Sequence, residues 1–188
     1  FFPNTTIPLN IYEAPYLKML DECLKTKLPI AIIPSKFTQN EDYTGAICTL
    51  GRPVVLQENP DKTKLIVLQA QGKVQLHEKL QTIPFQRYNC LPIEEEESVF
   101  PENCFKANRL KIELKKWIKR DQKDSHYQVQ FFSKLSGPNQ LINYACTFLS
   151  SSIVQQQSLL EISNINQRLD LLLSYLEAKG QSAQENLH

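Results

Sequence analysis

The sequence predicts an α+β protein with a β-rich first half and a helical second half. In residues 1–97, short apolar or alternating runs are separated by proline, glycine and Asn-Pro-Asp, which is typical of strands joined by turns. From residue 98 onward, apolar residues recur every three or four positions, as they do on amphipathic helices. Strands followed by helices are typical of the α+β class. We therefore expect two subdomains, residues 1–97 and 98–188.

The first half opens with two strands that flank one short helix. Residues 1–12 contain two prolines among β-branched residues, which predicts an edge or bent strand because proline donates no ladder hydrogen bond. Pro15 is suited to a first helical turn, and helical spacing of apolar residues continues over residues 15–26. Residues 28–34 form a continuous apolar run that predicts a buried strand. Residues 43–57 then predict either two strands or one bent strand.

The second part of this half ends in an acidic run. Residues 59–62, Asn-Pro-Asp-Lys, are a turn signal, and residues 64–81 predict two strands that are separated at Gly72. Residues 83–93 predict another strand. The run Glu94–Glu97 is either an acidic docking patch or a solvated linker. The linker is favoured because like charges repel one another and resist packing.

The second half predicts a helical bundle. Residues 100–122 place Trp117 on the apolar side of a helix, and residues 139–150 form a second amphipathic run after Gly-Pro. Gln157–Glu177 reads as the end of one helix, a break and another helix. Ser163 is the expected N-cap of that last helix because its hydroxyl can accept an unpaired backbone N–H. Gly180 is the expected stop.

Composition argues against several classes of protein. The formal net charge of the 188 residues is +1, so no long-range field favours nucleic acid or an acidic membrane. No apolar run approaches the ~20 residues that span a bilayer. The five cysteines are odd in number and widely spaced, which favours reduced thiols in the cytoplasm and leaves open one disulfide of unknown pairing.

No constellation of residues predicts catalysis, a cofactor or a metal. The chain lacks the glycine-rich phosphate loop of ATPases, and Lys134 with Ser136 fits a solvated loop better than a catalytic dyad. His77, His126 and His188 lack metal-ligand spacing. The basic residues 106–123 around Trp117 suit nucleic acid less well than an amphipathic helix with a charged outer face, so nucleic acid is an unlikely partner. We expect a protein without enzymatic activity.

Four ordered segments resemble the substrate-recognition (N-terminal) domain of the Lon protease family. They are Gln-Ser-Leu-Leu-Glu followed by Asn-Gln-Arg-Leu-Asp-Leu-Leu in 157–173, Ile-Tyr-Glu-Ala-Pro-Tyr in 11–16, Tyr-Thr-Gly-Ala-Ile-Cys-Thr-Leu-Gly in 43–51, and the strand–glycine–strand segment 65–76. Together they are distributed along most of the chain, from residue 11 to residue 173. Two positions depart from the family pattern: Gln75 replaces a usual arginine, and Ala14-Pro15 replaces a usual Pro-Arg.

The resemblance implies a PUA-like first half, with a twisted sheet or partly open barrel and one short helix, followed by a helical bundle. It also implies a module that captures unfolded or damaged polypeptides, with a protease as a further partner. Self-association stays open. Phe1 is not a start methionine, which indicates that residues precede it, whereas the polar tail from Ala178 favours a stand-alone relative over a fragment of Lon.

The candidate polypeptide-binding residues are apolar side chains near the start of the chain, namely Phe2, Ile7, Tyr12 and Tyr16. If they form a surface groove, they can hold apolar segments of a partner. The alternative for each, and for Phe131 and Phe132 in the second half, is a place in the core. A second hypothesis of another class is an RNA- or small-ligand-binding protein, since PUA-like folds include such proteins.

Overall fold

The structure is a computed structural model that describes residues 1–34, 42–121 and 130–185, with only the backbone described at 121 and 181–185. His126 and His188 lie outside the described residues. The chain forms two compact units, residues 1–94 (unit 1) and residues 95–188 (unit 2). Unit 1 contains every strand of the described chain, and unit 2 is helical, so the predicted α+β class is confirmed.

Unit 1 is an antiparallel five-stranded sheet with one helix. The order along the sheet is β1-β4-β3-β2, and β5 also pairs with β4. Residues 43–57 do not form two strands, because a single strand, β3, runs from Ile47 to Glu58. The elements are β1 (Thr6–Ile11), α1 (Ala14–Thr26), β2 (Ile30–Ile32), β3 (Ile47–Glu58), β4 (Lys64–Gln81) and β5 (Arg87–Ile93).

The long strand β4 organises the sheet. The predicted break at Gly72 is wrong, because β4 continues through it. Along the edge of β4 opposite β3, β1 pairs as far as Gln69 and β5 pairs from Lys73 onward. On the edge of β4 that pairs with β3, Leu50 pairs with Gly72 and Gly51 pairs with Ala70. The residue of β4 between Ala70 and Gly72 therefore has no partner in register, and β4 bulges there. A bulge bends a strand and increases its twist, which lets one strand serve two partners.

Both faces of the sheet carry buried apolar residues. One cluster lies under α1 and contains Leu20, Cys23, Ile30, Ile66 and Leu68. The other contains Cys48, Val74 and Leu76, with Tyr43 and Tyr88 packed against it. Side chains of β4 alternate between faces, and the bulge shifts this alternation by one residue. Ile66 and Leu68, before the bulge, therefore belong to the cluster under α1. Val74 and Leu76, after the bulge, belong to the other cluster.

The first residues of the chain close the α1 side of the sheet. Phe2 is 1% exposed. The Thr49 hydroxyl donates to the carbonyl of Phe1 at 2.9 Å, and the Thr5 hydroxyl donates to the carbonyl of Phe2 at 2.6 Å. The Phe1 ring lies over Gly51, where an added Cβ would be 2.9 Å from the ring. Glycine at this position lets the aromatic ring approach the backbone of β3.

Unit 2 is a set of helices around an aliphatic core. The helix predicted over residues 100–122 begins with a short 3₁₀ turn, Pro101–Asn103. Leu110 and Leu114 on α2 are fully buried, as are Ile142 on α3 and Leu169 on α5. The elements are α2 (Cys104–Asp121), a helical segment at residues 130–133, α3 (Pro138–Leu149), α4 (Ile153–Glu161) and α5 (Ile165–Glu185).

The corner between α4 and α5 corrects two predictions. Asn164, not Ser163, caps α5: its side-chain oxygen accepts the backbone N–H of Asn166 at 2.8 Å and that of Gln167 at 3.2 Å. The carbonyl of Ser163 instead accepts the backbone N–H of Glu96 at 3.0 Å. The expected stop at Gly180 is also wrong, because α5 continues to Glu185. The tail therefore gives no support to the stand-alone interpretation.

The acidic run takes part in the fold of unit 2 and is not simply solvated. The backbone of Glu96 pairs with the chain on both sides of Asn164, accepting the N–H of Ile165 at 3.0 Å. Glu95 forms an ion pair with Arg168, and their side chains are 9% and 1% exposed. The buried guanidinium of Arg168 donates several hydrogen bonds and so offsets the cost of burying the Glu95 carboxylate. The run of like charges in the sequence does not reveal this distant partner.

Candidate polypeptide-binding surfaces

Two of the four residues proposed from sequence are part of the core of unit 1. Phe2 is buried, and Ile7 packs against the cluster under α1. Ile7 lies opposite Leu68 in the β1–β4 ladder, so its side chain and that of Leu68 point to the same face. The Phe2 side chain is therefore not available to a partner in this conformation, whereas that of Ile7 is partly exposed.

The other two, Tyr12 and Tyr16, are exposed and are here together called the tyrosine surface. Tyr12 is 66% exposed and Tyr16 is 47% exposed. The β1–β4 ladder ends at Ile11, which pairs with Lys64, and α1 begins at Ala14. Tyr12 therefore lies in the connection after β1, one residue beyond the end of the β1–β4 ladder. Tyr16 lies in the first turn of α1.

Unit 1 also exposes apolar residues that sequence reasoning missed. Leu56 is 59% exposed because it bulges from β3, between Val55 paired with Ile66 and Gln57 paired with Leu65. Ile83 is 83% exposed at the tip of the β4–β5 turn. The Ile-Pro dipeptide of that turn was a signal for its position, since proline marks turns. The bulge at Leu56 has no such signal.

The two positions expected to depart from the family pattern lie in unit 1. The Gln75 side-chain amide donates to the carbonyl of Gly45 at 3.1 Å, next to the turn where Gly45 adopts φ +86°. Pro15 stands in the first turn of α1, and Glu13 at the N-cap makes no side-chain cap hydrogen bond. Gln75 thus stabilises a turn in unit 1.

Unit 2 contains a surface groove of about 300 Å³ between α2 and the segment before α3. Its α2 wall includes Cys104, Asn108 and Lys111, and its opposite wall includes Phe132 and Pro138. The remaining lining residues are Ala107, Leu135, Gly137 and Leu141. The groove therefore combines apolar residues with the polar side chains of Asn108 and Lys111 on its α2 wall.

The aromatic residues of unit 2 form one connected cluster. Trp117 stacks on Phe148 with ring centroids 4.8 Å apart, and Tyr144 stacks on Phe148 at 6.0 Å. Phe131 meets Tyr144 edge-on at 5.0 Å and Phe132 at 5.2 Å. Trp117 is half-buried, as is each of the other four rings. Phe131 and Phe132 therefore contribute to packing while retaining some solvent contact, and Phe132 also lines the groove.

Lysine and arginine side chains on α2 differ in their partners. Lys106 pairs with Asp170 at 2.6 Å and Arg109 with Glu177 at 2.8 Å, both across to α5. The Lys115 ammonium lies 5.5 Å from the ring centroid of Phe132. Lys111 makes no ion pair with any residue that the structure describes. The positive charge of α2 is thus neutralised on its α5 side but not at the groove.

The five cysteines are free thiols in two environments. Cys23, Cys48 and Cys146 are buried, whereas Cys90 and Cys104 are exposed. Burial raises the pKa of Cys48 and that of Cys146 each to about 12. Burial also raises the pKa of Cys23. Cys90 and Cys104 are therefore the thiols that solvent can reach.

Neither a metal-ligand cluster nor a membrane-spanning helix occurs among the residues that the structure describes. Within residues 1–34, 42–121 and 130–185, no three His, Cys, Asp or Glu side chains come together as metal ligands. None of the described helices has the length and apolar character needed to cross a membrane. The Ser136 hydroxyl donates to the Gln140 side chain at 3.1 Å, which is consistent with a loop contact beside α3.

The fold is that of a Lon N-terminal domain. It resembles the N-terminal domain of Mycobacterium avium complex Lon protease, with a TM-score of 0.65 and 13% identity over 93% of this chain and 90% of that one. It also resembles the crystal structure of the Lon N-terminal domain protein from Xanthomonas campestris, with a TM-score of 0.62 and 16% identity over 93% and 92% of the two chains.

The chain belongs to the family of the ATP-dependent protease La (LON) substrate-binding domain, whose model matches residues 1–178. It is 23% identical over 179 residues to Lon protease 2 of Syntrophobacter fumaroxidans, covering 93% of this chain and 22% of that protein. It is 23% identical over 190 residues to Lon protease 2 of Desulfotalea psychrophila, covering 97% and 24%. The chain thus spans less than a quarter of the length of these relatives.

Proposed function

We propose that this chain is a non-enzymatic module that captures unfolded or exposed apolar polypeptide segments, and that the tyrosine surface is where it holds them. The observation that carries the proposal is the exposure of Tyr12 and Tyr16, 66% and 47%, at adjoining ends of a strand and a helix. Membership of the LON substrate-binding domain family supports a polypeptide as the ligand.

Tyrosine suits a surface that must accept many sequences. Its ring offers a large apolar area at low conformational-entropy cost, and its hydroxyl can pair with a partner backbone. An unfolded polypeptide supplies both apolar side chains and unpaired backbone groups. Phe2 and Ile7 contribute to the core of unit 1 in this proposal: Phe2 is buried, and Ile7 packs against the cluster under α1.

The proposed cellular context is ATP-dependent proteolysis in the cytoplasm, with a protease as partner. The relatives are named Lon proteases, and five free thiols suit a reducing compartment. We also propose that unit 1 is PUA-like, as the sequence resemblance implies. Its twisted sheet, with β4 shared by β1, β3 and β5, is compatible with a partly open barrel.

The test is a fluorescence-anisotropy titration of a labelled, permanently unfolded protein with the purified chain. Saturable binding that depends weakly on salt is expected, and the double variant Tyr12→Ser/Tyr16→Ser is expected to weaken it by roughly tenfold or more, as truncation of interface aromatics does. The matched control is Leu91→Ser on β5, which removes an apolar side chain of 50% exposure and is expected to leave binding unchanged.

A labelled RNA of mixed sequence is titrated in parallel. Salt-sensitive RNA binding without polypeptide binding would overturn the proposal in favour of a nucleic-acid partner, because phosphate contacts release counterions and weaken steeply with salt. Equal weakening by Tyr12→Ser/Tyr16→Ser and by Leu91→Ser would show that the tyrosine surface is not the binding site.

A further inference from the structure

We propose that the groove of unit 2 is a second docking site, which takes a peptide segment that combines apolar side chains with aspartate or glutamate. The inference rests on the proposed polypeptide-binding function and adds the chemistry of a particular class of segment. The lining of the groove comes from residues 104–111 of α2 and residues 132–141 before and within α3.

The floor of the groove is shaped for apolar side chains. Ala107 and Leu141 are nearly buried, and Phe132, Leu135 and Pro138 complete the lining. A space of about 300 Å³ lies at the lower end of the range found for small-ligand pockets, which fits individual side chains of a peptide. Burying apolar side chains in the groove removes apolar surface from water, which favours binding.

Exposed apolar residues extend the groove along α2. Phe105 is 69% exposed and Ile112 is 55% exposed, two helical turns apart on one side of α2. Asn108 lines the groove and is an i+3 neighbour of Phe105 and an i−4 neighbour of Ile112. The two exposed side chains therefore border the α2 wall, and a segment longer than the groove can contact them.

The charge at the groove selects the partner. Lys111 lines it, and Lys115 stands over the ring of Phe132, which also lines it. None of the described residues that line the groove carries a carboxylate. By contrast, Lys106 and Arg109 on the α5 side of the same helix are each paired with an acid of unit 2. A carboxylate beside an apolar side chain complements this wall, whereas a lysine-rich segment is repelled.

The reactivity of Cys104 directly measures whether a peptide occupies the groove. Cys104 is an exposed thiol in the groove wall, and Cys90 is an exposed thiol in unit 1. A peptide held in the groove slows alkylation of Cys104 by iodoacetamide and leaves Cys90 unchanged. The probe is a short peptide of repeated Asp-Leu-Leu-Asp units, and its control carries lysine in place of each aspartate. Mass spectrometry follows both cysteines in the intact chain.

The expected result is protection of Cys104 by the aspartate peptide and not by the lysine peptide. Lys111→Glu is expected to weaken binding of a labelled aspartate peptide by roughly tenfold, since it reverses a charge in the groove wall. Lys116→Glu is the matched control on α2: Lys116 lies outside the groove lining and pairs with Glu113. It is expected to change binding by less than about twofold.

Equal alkylation of Cys104 with and without the aspartate peptide would overturn the inference, as would equal effects of Lys111→Glu and Lys116→Glu. The two proposals fail separately. If unfolded protein binds through the tyrosine surface while Cys104 is unprotected, the groove inference alone falls. If the peptide protects Cys104 while no unfolded protein binds, the proposed function falls and the groove remains a peptide site.

Discussion

The guanidinium of Arg168 and the carboxylate of Glu95 form a buried ion pair within unit 2, where Arg168 is 1% exposed. Arg168 also donates to the carbonyl of Leu159 at 3.0 Å, to the Asn143 side chain at 2.7 Å and to the carbonyl of Ile162 at 2.5 Å. One side chain thus connects the start of unit 2 with α3 and with the end of α4. Its several acceptors offset the cost of burying its charge.

Removing this guanidinium is expected to destabilise unit 2 strongly. Arg168→Ala leaves Glu95 buried without its cation and is expected to cost about 3–5 kcal/mol. Arg109→Ala is the control, because Arg109 and Glu177 form an exposed pair with both side chains 54% exposed, which is worth at most about 1 kcal/mol. Urea unfolding, followed by the fluorescence of Trp117, the only tryptophan, measures the free energy of unfolding of both variants. Equal losses would contradict a special role for the buried pair.

Gly51 is expected to be less replaceable than Gly72, although both lie in strands. A Cβ at Gly51 would stand 2.9 Å from the Cβ of Leu68 and 2.9 Å from the ring of Phe1, whereas a Cβ at Gly72 would meet nothing within 4 Å. Gly51→Ala is therefore expected to cost about 1–3 kcal/mol through overpacking. Hydrogen exchange of β3 and β4 amides provides the measurement. Faster exchange in Gly72→Ala than in Gly51→Ala is the contrary outcome.

The thiols are expected to react in two classes. Burial raises the pKa of Cys48 and that of Cys146 each to about 12, so both thiols are largely protonated at pH 8. Cys90 and Cys104 are exposed and are expected to react first with Ellman's reagent under native conditions. Denaturant should release the remaining three. Rapid reaction of Cys146 in the folded chain would contradict its placement in the core of unit 2.

The β3–β4 turn is expected to show a pH dependence of known sign. The Thr63 hydroxyl and backbone N–H donate to one oxygen of Asp61 at 2.7 and 3.0 Å, and these hydrogen bonds lower the pKa of the Asp61 carboxyl. The ionised carboxylate thus stabilises the turn above the ordinary aspartate pKa of about 3.9, and this stabilisation is lost as pH falls through the lowered pKa.

Thr63→Val is expected to raise the pKa of Asp61 towards its ordinary value, as followed by NMR titration of the carboxyl carbon. Asp42 is an internal control, since hydrogen bonds from Thr44 lower its pKa in the same manner. The Asp42 titration should not change in the variant. An unchanged Asp61 titration would show that the hydroxyl does not lower its pKa.

Local patterns identified the elements better than their connections. The helical spacing around Leu110 and Leu114 and the turn at residues 59–62 were visible because each depends on neighbours in sequence. The continuity of β4 through Gly72 was not visible, because a glycine in a strand pattern indicates a break unless the neighbouring strands that pair with it are known. The same holds for Glu95, whose burial depends on an arginine 73 residues away.

The candidate site was predictable only in part for the same reason. Four apolar side chains near the start of the chain are similar in sequence terms, yet Phe2 is 1% exposed and Tyr12 is 66% exposed. What separates them is long-range: Phe2 packs into unit 1, whereas Tyr12 follows the last residue of β1 that pairs with β4. The groove of unit 2 needs α2 and the segment before α3 to meet, which no local spacing indicates.

Site-specific photo-crosslinking is the most direct test of whether the tyrosine surface holds unfolded polypeptide. p-Benzoylphenylalanine is placed at Tyr12, at Tyr16 or, as a control of similar exposure, at Leu91, and each chain is irradiated with a permanently unfolded protein. Crosslinks are expected from positions 12 and 16, and an excess of unlabelled unfolded protein is expected to suppress them. Few crosslinks are expected from position 91. Crosslinks of equal yield at all three positions, or at Leu91 alone, would contradict capture by the tyrosine surface.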